Sequence, residues 1–231
     1  MGPLDTALPW MSPLHLEALM RFEGLPSTLL HPERIATFLP SAAAPLFDLG
    51  AQDSAHQAQL HRHWSQALRD TLKLAPITHY GEPALRVACL PKQGWDPLIP
   101  LAGAMLGAPG IRRLIARDAV AALQSKIGAD AVTFACVDAG ALHAGVSQSV
   151  QLTHAELAEW CPRWGAALLW RAFEAASTAV AERAWLRLPE QAQDWAQTEL
   201  AKLDANKALA LAFELTERTD PSWLSSFPAT P

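Results

Sequence analysis

Residues Leu101–Gly128 read LAGAMLGAPGIRRLIARDAVAALQSKIG, and how this stretch divides decides the fold. Pro109 and Gly110 break whatever precedes them. From there apolar side chains recur at the helical period until Gly128 offers a C-terminal stop. The spacing predicts one helix of about four to five turns. At about 100° per residue, Ile111, Leu114, Ile115, Ala119, Ala122 and Leu123 share one apolar face directed at a core. Arg112 falls inside that face. It is expected to be a buried structural arginine paired with a carboxylate, either Asp118 at the edge of the face or Asp138 beyond it. Arg113, Arg117 and Gln124 fall on the opposite side, as a basic stripe that could meet an acidic partner. Two arginines in a first turn oppose the helix dipole, at a cost of roughly a few tenths of a kcal/mol unless anions lie nearby. The plainer reading of the stripe is arginine stems covering apolar surface with their heads in water.

Outward from this stretch the chain changes character. Thirteen of its eighteen prolines lie at or before Pro109, so the first half is expected to be short helices and loops and the second half to hold long helices. Pro13–Phe22 and Pro32–Phe38 each read as a brief helix with proline in its first turn. A longer helix runs from Asp53 to Leu74, capped by Asp53 or Ser54, with Leu60, Trp64, Leu68 and Leu72 at i, i+4 intervals. His56, His61 and His63 crowd this helix, but His61 and His63 diverge by about 200° and no HExxH motif accompanies them, so no metal site is expected. ALRVACL at Ala84–Leu90 and RAWLRLP at Arg183–Pro189 alternate as short strands, candidates to pair as one small two-stranded ribbon.

Beyond Gly128, Ala129–Ala139 should form a second helix packed back on the first, and Gly140–Gln151 a loop. Thr153 and Glu156 form a capping box that opens a helix which Pro162 bends or interrupts and which continues to about Arg183. Its segment Gly165–Trp170 is nearly apolar all round, marking the most buried element, and Trp160 and Trp164 read as core. Gln191–Glu217 is the last long helix. Leu209 and Phe213 fall off its apolar stripe, so it either breaks near Asp204–Asn206 or is buried on two sides. In the tail, DPSWLSSFPATP, Trp223, Leu224 and Phe227 either fold back on the core or anchor a partner.

The expected architecture is mainly α: a single irregular helical domain over 1–219, with a candidate subdomain boundary near 91–97, and a C-terminal tail over 220–231. Composition narrows the function. Of 231 residues half are hydrophobic and 18% charged, a composition that folds. A net charge of −5 lacks the positive field that general nucleic-acid binding requires. No secretory signal or 20-residue apolar span is visible, so a cytoplasmic protein is expected, peripheral to any membrane. Cys89, Cys136 and Cys161 are odd in number and widely spaced, which fits reduced and mostly buried thiols. No phosphate-binding loop, nucleophile elbow or paired carboxylates can be assembled, so neither a catalytic residue nor a cofactor is assigned.

Two stretches resemble a known family. The glycine-containing segment that leads into IRR and an apolar helix, Leu106–Gly128, and WLRLP at Trp185–Pro189 are similar to the SctK (YscK-like) accessory proteins of bacterial type III secretion, with a looser likeness from about Trp10 to Glu217. The resemblance implies a non-enzymatic cytosolic component of the injectisome sorting platform. Such a protein links the cytoplasmic forkhead-associated domain of the inner-membrane ring protein SctD to the pod protein SctQ. Two other classes stay open beside it. An α-helical enzyme or small-molecule binder would hold a deep pocket with perturbed titratable groups, and a secretion chaperone would expose a large apolar groove.

Overall fold

A computed structural model describes residues 12–38, 54–225 and 227 of the chain, and among these no strand occurs. In chain order the helices are α1 (Pro13–Gly24), α2 (Pro32–Phe38), α3 (Ser54–Leu72), α4 (Pro83–Ala88), α5 (Lys92–Trp95), α6 (Leu98–Ile111) and α7 (Arg117–Ile127). Then follow α8 (Ala129–Val137), α9 (Ala139–Leu142), α10 (His154–Phe173), α11 (Thr178–Trp185), α12 (Ala192–Glu199), α13 (Ala205–Thr219) and α14 (Pro221–Ser225). Contacts divide the chain into two compact units. One comprises 1–90, 176–190 and 225–231, the other 91–175 and 191–224.

The first unit is short helices joined by polar side chains that reach into loop backbone. Leu30, Trp64, Leu68 and Leu186 form an apolar cluster, against which Ile35, Phe38 and Leu60 pack. Around it, Arg187 donates to the Ala88 carbonyl at 2.6 Å, Arg183 to those of Ala75 and Ala179, and Arg69 to that of Gly24. Arg34 donates to the carbonyls of Leu188 and Pro189. Glu23 accepts from the Ile77 N–H and the Tyr80 hydroxyl, and Glu82 from the N–H and hydroxyl of Ser177, ahead of α11. Loop carbonyls and amides that would otherwise lie unpaired are thereby satisfied.

The expected ribbon is absent: the first stretch is largely helical, and the second ends a helix and turns. Pro83 fixes the first-turn geometry of α4, and that short helix is buried on several sides, so its apolar residues do not betray a helical period. RAWLRLP ends α11 at Trp185 and turns, with Arg187 N–H donating to Ala184 O and Leu188 N–H to Trp185 O. Read as a strand, the stretch alternates Arg183, Trp185 and Arg187 with Ala184, Leu186 and Leu188. Arg183 and Arg187 are 2% and 5% exposed, four residues apart on one side of the helix end. The Asp53 cap lies outside the described residues.

The second unit is organised by α6 crossing α10 at backbone contact. A Cβ at Gly103 would overlap the Cys161 carbonyl, and one at Gly165 would overlap the carbonyl of Ile99. Gly107 faces the Cys161 sulfur and the Trp164 ring. Small residues let the two axes approach until main chain meets main chain, and Leu98, Met105 and Leu106 of α6 and Leu157, Trp164, Leu168, Leu169 and Phe173 of α10 are buried around the crossing.

This crossing corrects the reading of Leu101–Gly128. Pro109 and Gly110 do not start a helix; they lie in the last turn of α6, which ends at Ile111. The 3-10 turn Ser147–Gln151 and the residue before it rescue the backbone that the proline disturbs. Val146 N–H donates to Leu106 O at 2.7 Å, and Gly110 N–H donates to the buried Ser149 hydroxyl at 3.1 Å. The wheel drawn from Ile111 therefore spans a helix end, a turn and a second helix. Its apolar face dissolves: Leu123 is buried, whereas Ile115 is 95% exposed. Gly128, at φ +94°, a conformation glycine adopts without strain, ends α7, and α8 leaves it bent by 115°.

The Thr153–Glu156 capping box is present, with Glu156 accepting from the Thr153 N–H and hydroxyl, and these bonds hold its carboxyl below the usual range. Pro162 does not interrupt the helix, which runs unbroken from His154 to Phe173 with the proline inside it. The helix stops at Phe173 instead of Arg183. Residues 174–177 turn, and Ser177 opens α11. Of the two readings of Gln191–Glu217, the break holds: α12 ends at Glu199 and Asp204 caps α13 by accepting from the Lys207 N–H. In the tail Trp223 is 1% exposed and Phe227 lies against the His15 ring at 4.1 Å, so both aromatic residues fold back. Burial pushes the thiols of Cys89 and Cys161 up to about 12, while Cys136 is exposed. No single helix among the described residues is long and apolar enough to cross a membrane.

Candidate interaction surfaces

The turn between α6 and α7, Arg112–Ala116, is the most conspicuous surface feature of the second unit. It is ordered by its own backbone, with Arg113 N–H donating to Gly110 O and Leu114 N–H to Ile111 O. Arg112 caps α6, its Nε donating to Ala108 O at 3.3 Å. Its guanidinium lies over Gly140, where a Cβ would stand 3.1 Å from Nη1. Arg112 and Asp118 are both exposed and do not pair, and Asp138 instead binds Arg218 at 2.9 Å. The expected buried charge is thus corrected: a helix that ends at Ile111 sends residue 112 outward. Among the described residues the buried arginines are Arg183 and Arg187. One signal was available, since Arg187 interrupts the otherwise apolar run Ala184–Pro189.

The basic stripe is split in the same way. Arg113 stands in the turn, Arg117 opens α7, and Gln124 is half-buried further along that helix. The arginines are exposed, and among the described residues neither forms an ion pair or side-chain hydrogen bond. Between them Ile115 projects into solvent, so the surface is a positively charged turn with an apolar apex, not a flat helical face.

An open groove of about 880 Å³ lies elsewhere on this unit, lined by Pro100, Leu101, Ile127, Phe134 and Val137. Val137 is 74% exposed, and Arg218 sits over the Phe134 ring at 5.3 Å while pairing with Asp138. On α10 the Trp164 indole nitrogen, and at the end of α12 one Glu199 oxygen, are buried without a hydrogen-bond partner among the described residues. Burial raises the Glu199 carboxyl, opposed by the neighbouring indole and Arg163.

In the first unit, Ser27, His61 and Ser65 form the arrangement that most resembles a nucleophile and its base. Ser27 Oγ lies 2.9 Å from His61 Nδ1, 2.8 Å from Ser65 Oγ and 3.1 Å from the His61 carbonyl. The Ser27 N–H donates to Ser65 Oγ. Every group is satisfied when Ser27 donates to the His61 carbonyl and accepts from the imidazole N–H and the Ser65 hydroxyl. That directs the serine proton away from the ring, and both serines are fully buried. The cluster ties α3 to the Pro26–Leu29 turn. Burial, with the Arg21 charge adding to it, lowers the His61 pKa. Among the described residues no three His, Cys, Asp or Glu side chains converge as metal ligands. Comparison with protein-family models, curated proteins and solved structures finds no match.

Proposed function

We propose that the chain is a non-enzymatic adaptor of the SctK type in the cytosolic sorting platform of a type III secretion injectisome, joining the SctD cytoplasmic domain to SctQ. The observation that carries this reading is the position of the two resembling stretches. WLRLP supplies the backbone that Arg34 grips and the Arg187 that holds Ala88, at the heart of the first unit. Leu106–Gly128 supplies the end of α6, the charged turn and α7 in the second. A chain of two compact units, each organised on one such stretch, suits a protein that holds two partners. Arg113 and Arg117 give the second unit a contact for an acidic protein surface, with Gln124 at most at its edge.

The test is co-purification of the full chain with each cognate partner, resolved by size-exclusion chromatography with light scattering at micromolar concentration. A complex of defined stoichiometry with SctD, SctQ or both is expected. Reversal of charge in R113E/R117E should weaken one of these complexes while leaving the melting temperature unchanged. Folded proteins that elute separately in both mixtures would overturn the reading.

A further inference from the structure

The adaptor reading leaves Ile115 unused, although it is the most exposed large apolar side chain described, at 95%. Its surroundings are not those of a loop tip free to wander. The preceding residues are fixed by the Arg113 and Leu114 backbone bonds and by Arg112 lying across Gly140. The turn follows directly on α6, whose residues from Ala102 to Ala108 are all buried. A preordered projection loses little conformational freedom on docking, which is what a specific contact needs.

We infer that Ile115 is the apolar anchor of this surface, entering a socket on a partner protein whose rim carries carboxylates that meet Arg113 and Arg117. The inference rests on the adaptor reading and specifies the chemistry of its partner. Ile115 stands between Arg113 and Arg117, so an apolar contact would be flanked by arginine, a residue enriched at interface hot spots. The two arginines lack acidic partners within the described chain, so they are available to one outside it. An anionic bilayer is the weaker occupant. The chain carries a net charge of −5, exposed Asp118 follows Arg117 directly, and one apolar side chain with a few cations gives marginal membrane binding.

Binding of the full chain to the SctD cytoplasmic domain and to SctQ is measured by calorimetry for the wild type, I115A, R113E/R117E and V137A. Val137 is also highly exposed but lies on the groove, so it controls for the loss of any surface methyl groups. I115A should weaken binding tenfold or more at unchanged melting temperature, and V137A less than twofold. R113E/R117E should also weaken binding and flatten its salt dependence, whereas I115A should leave the salt slope as it is. Wild-type affinity retained by I115A would overturn the socket while leaving the adaptor intact. Absence of wild-type binding to either protein would overturn both. Ile115-dependent binding to vesicles containing phosphatidylglycerol, with none to the proteins, would overturn the inference in favour of a bilayer.

Discussion

The two units solve the same problem with different chemistry. In the first, short helices leave many loop carbonyls and amides without partners, and arginine and glutamate side chains reach across to satisfy them. In the second, glycine brings α6 and α10 into main-chain contact, and the core around them is almost wholly apolar. One is held by direction and charge, the other by shape. The difference decides what each unit tolerates. A polar clamp can lose a partner and keep its packing, whereas a backbone crossing has no room in which to relax.

The sharpest way to break that contrast is a single methyl group. G103A places a Cβ on the Cys161 carbonyl, and separation of the helices would expose the core on both. Destabilisation of at least about 4 kcal/mol is expected, enough to abolish hydrogen-exchange protection in α6 and α10. A milder loss measured by urea unfolding would mean that the crossing can slide. In the first unit, R187M keeps the apolar stem but leaves the buried Ala88 carbonyl without its donor. A cost of about 2–3 kcal/mol is expected, with the helical circular dichroism of the folded state retained. An unchanged urea midpoint would show that shape alone holds this unit too.

The smallest expected effect is in pH dependence. Because the folded pKa of His61 lies below its unfolded value, its contribution is present in full above a pH of about 6.5 and is lost as pH falls towards the lower folded value. H61N offers an amide N–H in place of the Nδ1–H and does not titrate. The variant should lose less stability than the wild type between pH 7.5 and pH 5. Part of the slope should survive, because burial also lowers His143, which belongs to the second unit. A slope identical to that of the wild type would exclude His61 as a source.

The same contrast explains what could be read from sequence. Helix starts signalled by local chemistry were legible: Pro13, Pro32 and the Thr153–Glu156 box all open helices as expected. So was the predominance of helix. The errors fall where tertiary partners overrule a local rule. Pro109 does not break α6 because Ser149 and Val146 stand in for the disturbed bonds, and nothing adjacent in sequence announces them. From that misplaced boundary came both the burial assigned to Arg112 and the stripe through Gln124. The α4 segment passed for a strand because burial on several sides erases the helical period, and RAWLRLP did so because only its first three residues are helical, α11 ending at Trp185. The charged turn was visible as a run of arginines, but the exposure of Ile115 at its apex depends on where α6 ends.

The three cysteines give each unit its own clock. Cys89 belongs to the first unit and Cys161 to the second, and burial holds both thiols protonated far above neutral pH. Neither can react with a maleimide until its surroundings open, whereas exposed Cys136 is available at once. Rapid labelling thus places one dye on α8 of the native protein, and the two slow additions that follow, assigned by mass spectrometry, time the opening of each unit separately without a single engineered residue.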